Sequence, residues 1–334
     1  MIDFGNFKIN GQVALSPMAG ISDSPTRQLN RKMGSAFSFT EFVSTDGIHK
    51  GIQRTIDLFK FNESERPIWF QIFGNNREII TEATKIISEL NPDVIDLNMG
   101  CSVSKVAHKG SGAGLLKDPK YVGKIIESMV KSVTIPITAK IRLGWDHSNL
   151  NYKEIIHVLQ ESGIRMISVH GRTKSMGYSG KANWEMIGEI KSFAKVPIWG
   201  NGDILNRAEA LKRIKETGVD GVLVGRGAIG NPWIFQERHI KFLDYLEVCD
   251  KIIEHLSLMR EFYGESHGLL LFRKHLVRYL SHIPGTQTLK TKLLMETDWN
   301  KYIDLLLSFQ SESEEFALES EDLSCESFRE EILL

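Results

Sequence analysis

Short runs of β-branched and aromatic residues recur along the first two thirds of the chain, at residues 13–18, 37–42, 68–73, 94–99, 135–143, 166–170, 196–201 and 221–224. Gly, Pro, Asn or Asp opens or closes them. Between them lie stretches with apolar residues at helical spacing, among them 76–89, 119–131, 152–162 and 208–217. Eight strands alternating with helices predict a (β/α)8 TIM barrel, whose usual length is ~250 residues. A doubly wound sheet fits less well. No G-x-G-x-x-G turn follows the first run, and polar residues gather at the C-terminal ends of many runs rather than at one switch point.

After Arg226 the strand signal stops and the spacing turns helical, with Ile252, Leu256 and Met259, then Leu269, Phe272, Leu276 and Leu280, then Leu293 and Leu294. Pro284-Gly285 marks a turn between helices. The expected organisation is a barrel over residues 1–235, a small all-helical domain over 236–311, and a Ser/Glu-rich tail over 312–334 for which disorder is the default.

Composition sharpens this picture. The chain has 334 residues, 42% hydrophobic and 25% charged, which suits a globular core and excludes collagen-like or disulfide-scaffold classes. Its net charge of -1 argues at first sight against a nucleic-acid partner. That sum hides an asymmetry: residues 312–334 hold nine acidic residues and one basic, a net of -8, so the body carries +7. Cys101, Cys249 and Cys325 form no C-x-x-C pair, so no metal site or disulfide framework is expected. The N-terminus lacks a basic-then-apolar leader and no apolar stretch reaches the ~18 residues of a membrane span, so a cytoplasmic protein is expected.

The candidate chemistry sits at the run ends. Leu15-Ser16-Pro17-Met18-Ala19-Gly20 offers small residues against which a flat ligand can lie, or merely a turn. Gln71 is an amide among apolar neighbours and must find a ligand or a protein partner. Asp96 and Asn98 lie two apart and share one strand face, and Gly100 then presents Cys101 at the strand end where barrel enzymes keep reacting groups. A free cysteine is otherwise most often an inert small hydrophobe. Lys140 and Arg142, again two apart, need an anion; Asp96 would make them structural, and a cofactor phosphate or electron-rich ring would make them functional. His170 reads as a third group able to carry positive charge at the same mouth, followed by Arg172.

Trp199-Gly200-Asn201-Gly202-Asp203 and Val224-Gly225-Arg226-Gly227 are Gly-rich turns after consecutive runs, the usual phosphate cradle of barrels. Asp203 would repel a phosphate, so a helix cap or hydroxyl contact is its expected role. Residues 266–295 contain no Asp or Glu but do contain Arg273, Lys274, Arg278, Lys290 and Lys292, with His267, His275 and His282 and with Phe272 and Tyr279 interleaved. Contact with phosphodiester backbones is the functional reading of that stretch, and a solvated face the bland one.

SPMAGISD (16–23), DLNMGCSVSKVAHKGSGAGLLKDP (96–119), HGRT (170–173), WGNGDI (199–204) and GRGAIGNPWIF (225–235) together resemble the flavin-dependent tRNA-dihydrouridine synthases, nearest to their B-type bacterial branch, over about residues 10–300. The resemblance implies reduction of the C5–C6 double bond of selected uridines in tRNA, with FMN as hydride carrier and NADPH (or NADH) as reductant. It implies further that Pro17, Met18, Ala19, Gln71, Lys140 and His170 hold the flavin, that Asn201, Gly202, Asp203, Gly225 and Arg226 form its phosphate end, and that Cys101 protonates C5 while hydride reaches C6. On that reading Asn98, Arg142 and Arg172 meet the flipped uracil, and Arg273, Lys274, Arg278, Lys290 and Lys292 meet tRNA phosphates. A monomer is expected. The family commonly has Pro after the cysteine; Ser102 stands there instead and frees an N–H. A small-molecule FMN oxidoreductase of the dihydroorotate dehydrogenase type is the alternative, and would need no basic helical domain.

Overall fold

The structure, a computed structural model, describes residues 2–236 and 243–309; the tail expected over 312–334 and Cys325 lie outside the described residues. The strands are β1 (Ile2–Asp3), β2 (Lys8–Ile9), β3 (Val13–Leu15), β4 (Ser38–Phe39), β5 (Val43–Ser44), β6 (Ile68–Phe73), β7 (Val94–Met99), β8 (Ile137–Arg142), β9 (Ile167–His170), β10 (Ile198–Asn201) and β11 (Gly221–Val224). All but the first two belong to one parallel sheet in the order β3-β11-β10-β9-β8-β7-β6-β4, with β5 continuing β4 along β6. At the seam between β3 and β4 the Ala36 N–H donates to Val13 O (2.9 Å). The Ser35 hydroxyl accepts from Leu15 N–H and donates to Phe37 O, both at 3.0 Å. This is the eight-stranded barrel that the alternation of runs predicts.

Helices α1 (Ser24–Lys32), α2 (Thr45–His49), α3 (Gln53–Ile56), α4 (Arg77–Ser88), α5 (Ser104–Ala107), α6 (Pro119–Ser132), α7 (Tyr152–Glu161), α8 (Trp184–Phe193) and α9 (Arg207–Thr217) lie between the strands. Several begin where a side chain caps the first turn: Asn76 accepts from Ile79 N–H, Asp118 from Tyr121, Asn183 from Met186 and Asn206 from Glu209. Their buried faces, such as Ile80, Ala83 and Ile87 of α4, pack on the outward residues Ile95, Leu97 and Met99 of β7 and their counterparts.

Period-two alternation sends the other residues of each strand inward. The floor of the barrel is a second apolar cluster built on Trp69, Val94, Met166, Trp199 and Leu223. The β1–β2 hairpin closes it from below. Phe4 and Phe7 stack at 5.0 Å and both meet Trp69 edge-on at 5.8 Å. The polar inward residues are therefore confined to the upper, C-terminal end of the strands.

The described residues fall into two compact units, one up to residue 228 together with 232–236, the other 229–231 together with 243–309. The second is helical: α10 (Tyr245–Tyr263), α11 (Glu265–Tyr279), α12 (Gln287–Met295) and a final helix over 299–309. Val248, Ile252, Leu256 and Met259 of α10 and Leu269, Phe272 and Leu276 of α11 are buried. Gly268 permits the close approach between the two, since a Cβ there would lie 3.0 Å from Met259 O. Burial pushes the Cys249 thiol up to about 11, as befits a core thiol.

Candidate active site

Register assembles the inward polar residues in two tiers. In the lower tier Gln71, Asp96 and Thr138 are paired across β6, β7 and β8. Gln71 Nε2 donates to Asp96 Oδ2 (2.7 Å) and Thr138 Oγ1 to Asp96 Oδ1 (2.6 Å). Asp96 has no exposed surface, and burial pushes its carboxyl up to about 6 despite those two donors and the nearby Lys140. In the upper tier Asn98 pairs with Lys140, and Arg142, His170 and Asn201 follow round the rim.

Lys140 donates to Asn201 Oδ1 (3.1 Å), and Asn201 Nδ2 to Leu223 O (2.8 Å). The Asp96 oxygens are held by Gln71 and Thr138, so Asp96 meets Lys140 not through a hydrogen bond but as the nearby carboxylate whose charge favours the ammonium. Burial, with Arg142 adding to it, pushes the Lys140 ammonium down to about 8, which leaves it mostly charged at neutral pH. Among the described residues Asn201 is the one hydrogen-bond partner of Lys140, which leaves donors for an electron-rich ligand. His170, read from sequence as able to carry positive charge, is held in its neutral form. Burial and the cations Lys140, Arg142, Arg172 and Arg226 hold its pKa well below the ordinary histidine value, so the ring is neutral.

Cys101 follows β7 and is half-buried. Asn98 Oδ1 accepts the main-chain N–H of Gly100 (3.0 Å) and of Cys101 (2.9 Å), while Asn98 Nδ2 donates to Gln71 Oε1 (2.9 Å). The lower tier thereby supports the turn that carries the thiol. Arg142 Nε donates to Gly100 O (2.8 Å) from the other side, and its Nη1 to Thr173 O (2.7 Å) and Gly177 O (3.0 Å). Gly112, at φ 57°, brings the returning segment against Cys101, where Ala113 N–H donates to Cys101 O (3.1 Å); a Cβ on Gly112 would lie 2.9 Å from Cys101 Cβ.

Across the mouth the ends of β10, β11 and β3 converge. Gly202 has φ 140° and a Cβ there would lie 2.4 Å from Ala182 Cβ. Asp203, at φ 53°, accepts both oxygens' bonds from Arg172 Nη2 at 2.8 Å, the Ala182 N–H at 2.7 Å and Arg226 Nη2 at 3.3 Å. Burial alone would raise its pKa, yet the Ala182 N–H and the two guanidiniums outweigh that and hold the carboxyl below its usual value. Asp203 is not a helix cap, since Asn206 caps α9. Its charge is covered by arginines, which removes the repulsion a phosphate nearby would meet. Met18 Sδ lies 3.7 Å from the position a Cβ on Gly225 would take, so the Pro17-Met18-Ala19 turn and the Gly225-Arg226 turn are neighbours.

Arg142 and Arg172 are buried and tie loops together: Arg142 Nε and Nη1 donate to three carbonyls while its Nη2 has only Ser102 Oγ at 3.5 Å, and Arg172 Nε and Nη2 donate to Ser179 O, Gly180 O and Asp203 while its Nη1 lies 3.4 Å from His170 Nε2. Each therefore keeps a guanidinium nitrogen with N–H groups to spare. One expectation changes. In the helical unit Phe272, His275 and Tyr279 face the core, with His255 Nδ1 3.2 Å from the Tyr279 hydroxyl, so Phe272 and Tyr279 do not stand among the exposed cations of α11. Lys274 and Arg278 stay on one flank of α11 at i, i+4 spacing, while Arg273, Lys290 and Lys292 lie elsewhere on α11 and α12. The sequence reading missed the Asn98 bonds to the Cys101 turn; the Asn-x-Gly-Cys spacing was the available signal.

Polar and cationic groups ringing the C-terminal mouth of a (β/α)8 barrel, with a lone thiol at one strand end, define a barrel enzyme. Comparison narrows the class. The dihydrouridine synthase (Dus) family model matches residues 14–312, and the chain belongs to that family. It is an oxidoreductase. It is 36% identical over 309 residues to tRNA-dihydrouridine synthase B of Pseudomonas aeruginosa, covering 89% of this chain and 93% of that one. It is 39% identical over 298 residues to the probable tRNA-dihydrouridine synthase of Aquifex aeolicus, covering 86% and 92%. Among solved structures, histamine dehydrogenase from Rhizobium sp. 4-9 shares the fold, with TM-score 0.55 and 12% identity over 77% of this chain and 50% of that one. Among the described residues no helix is long and apolar enough to cross a membrane, and no group of three or more His, Cys, Asp and Glu is placed to hold a metal.

Proposed function

We propose that this protein is an FMN-dependent tRNA-dihydrouridine synthase that reduces the C5–C6 double bond of selected uridines with NADPH as electron source. The observation that carries the reading is the Cys101 turn: a half-buried cysteine after β7, its main-chain N–H held by Asn98 at 2.9 Å, at the same barrel end as Lys140, His170 and Asn201.

FMN fits these residues. Lys140 offers donors beyond its one bond to Asn201, and the second amide N–H of Gln71 has no partner among the described residues. His170 is neutral and packs beside Gly202. Asn201, Gly202, Gly225 and Arg226 form the phosphate end, with Asp203 orienting Arg226 and Arg172, and Pro17, Met18 and Ala19 lie alongside. When bound, FMN supplies the hydride that reaches C6.

The chain's own part is acid catalysis and positioning. Cys101 gives its thiol proton to C5 of the uracil from the face opposite the hydride and regains one from solvent. Asn98 and Arg142 fix the turn that carries it, from the N–H side and the carbonyl side. The target uridine leaves its stack to enter the mouth, and Asn98, which holds the Cys101 turn and spends one of its two amide N–H groups on Gln71, keeps the other with which to meet it. Lys274 and Arg278 on α11, with Arg273, Lys290 and Lys292, supply cations for tRNA phosphates.

Dihydrouridine mapped in tRNA from cells with and without this gene tests the assignment. Specific positions should revert to uridine when the gene is lost; an unchanged map rejects the proposal.

A further inference from the structure

Trp145, in the segment after β8, gathers cations. Lys117 Nζ lies 3.5 Å and Lys174 Nζ 4.4 Å from its ring centroid. The His108 ring meets the same indole at 5.7 Å and 86°, and His108 Nε2 is 3.4 Å from Lys174 Nζ. These residues come from three consecutive strand-to-helix connections, at the barrel end that holds Cys101: His108 and Lys117 after β7, Trp145 after β8, Lys174 after β9.

Among the described residues none of the three basic side chains has a hydrogen bond or ion pair to an Asp or Glu. The adjacent carboxylates have other partners, Asp118 accepting from Tyr121 N–H and Asp146 from Ser148 N–H and Asn149 Nδ2. Two ammonium groups held on one indole repel each other, and the ring's negative face offsets that only in part. An anion between them would complete the balance. Because both ammoniums already lie over the ring, the indole is not free to stack a base; what the cluster offers is charge. Lys117 and His108 are exposed and Trp145 and Lys174 half-exposed, an open patch suited to a polymer's backbone.

We propose that Lys117, Lys174 and His108, gathered on Trp145, form a phosphate station that grips the RNA backbone beside the uridine being reduced. The station rests on the functional reading above and adds to it a contact on the barrel itself. Since His108 and Lys117 belong to the segment after Cys101, backbone binding there also steadies the approach to the thiol.

The test uses the FMN-loaded protein and full-length unmodified tRNA, comparing wild type with the Lys117→Gln/Lys174→Gln double variant and with Trp145→Leu. Equilibrium titration over a range of salt should show the double variant binding about tenfold or more weakly, with a log–log salt slope smaller by about 1.5 to 2, as loss of two phosphate contacts requires. Trp145→Leu should weaken binding while the salt slope falls less, because the charges remain but are no longer gathered. Flavin reduction by NADPH should be unchanged in both. Unchanged tRNA affinity and slope would overturn the station. So would a raised KM for NADPH with tRNA binding intact, which would give the cluster to the dinucleotide's phosphate. A wild-type protein that binds tRNA but forms no dihydrouridine would sink the functional reading while the titration still judged the station.

Discussion

Asn98 Oδ1 accepts the main-chain N–H of Cys101 at 2.9 Å, and through the opposite end of the same amide Asn98 is braced on Gln71. The thiol's position therefore depends on a side chain three residues back rather than on the turn alone. Asn98→Ala leaves two N–H groups and the Gln71 oxygen without a partner, at a cost of about 1 to 3 kcal/mol. Single-turnover dihydrouridine formation should fall about 10- to 100-fold while flavin stays bound. Equal rates in wild type and variant would mean that Asn98 does not position the thiol.

Asp96 makes acid behaviour a test of the lower tier. Its folded pKa, about 6, lies above the unfolded value near 3.8, so between those values the folded state holds the extra proton. Its contribution to stability is full below about 4 and is lost as pH rises through 6, by up to about 3 kcal/mol. His170 opposes this, since its lowered pKa costs stability as pH falls below 6.5. Denaturation curves of wild type and Asp96→Asn compare the two states of this carboxyl: their difference should change across pH 4 to 6. A difference flat throughout contradicts the raised carboxyl.

The Arg172–Asp203 pair stands where we propose that the flavin phosphate binds. Asp203→Asn removes the carboxylate charge that both oxygens present to Nη2 of a guanidinium only 2% exposed, and loosens the Arg226 contact. Flavin release measured by fluorescence should rise about tenfold, with the barrel still folded by far-ultraviolet dichroism. Unaltered flavin affinity would move the phosphate end elsewhere.

Lys274 and Arg278 share a flank of α11, and changing both to Ala should lower the tRNA salt slope by about 1.5 to 2 without altering flavin reduction. An unaltered slope would remove this flank from the RNA surface.

Much of the fold was legible from period and punctuation. The runs at 68–73, 94–99 and 221–224 coincide with β6, β7 and β11. The second barrel strand did not hold as one run, since Ser38–Phe39 and Val43–Ser44 pair separately with β6. Spacing of two put Asp96 with Asn98 and Lys140 with Arg142 on inward faces, because strand geometry alone dictates that. Partners were not legible. Lys140 meets Asn201 sixty-one residues away, and Arg142 meets carbonyls, which leave no mark in side-chain sequence. The neutral state of His170 and the inward turn of Phe272 and Tyr279 depend on burial that only the packed chain defines.

The central claim is that Cys101 is the acid in a flavin-dependent reduction of tRNA uridine. The most direct measurement incubates wild type and Cys101→Ala with unmodified tRNA and NADPH and counts dihydrouridine by mass spectrometry of nucleosides, with bound flavin measured on the same samples. Wild type should form dihydrouridine, and the variant should retain its flavin yet form at least ~100-fold less. Full activity in the variant, or a wild-type protein that leaves tRNA unaltered while oxidising dihydroorotate, would contradict the account.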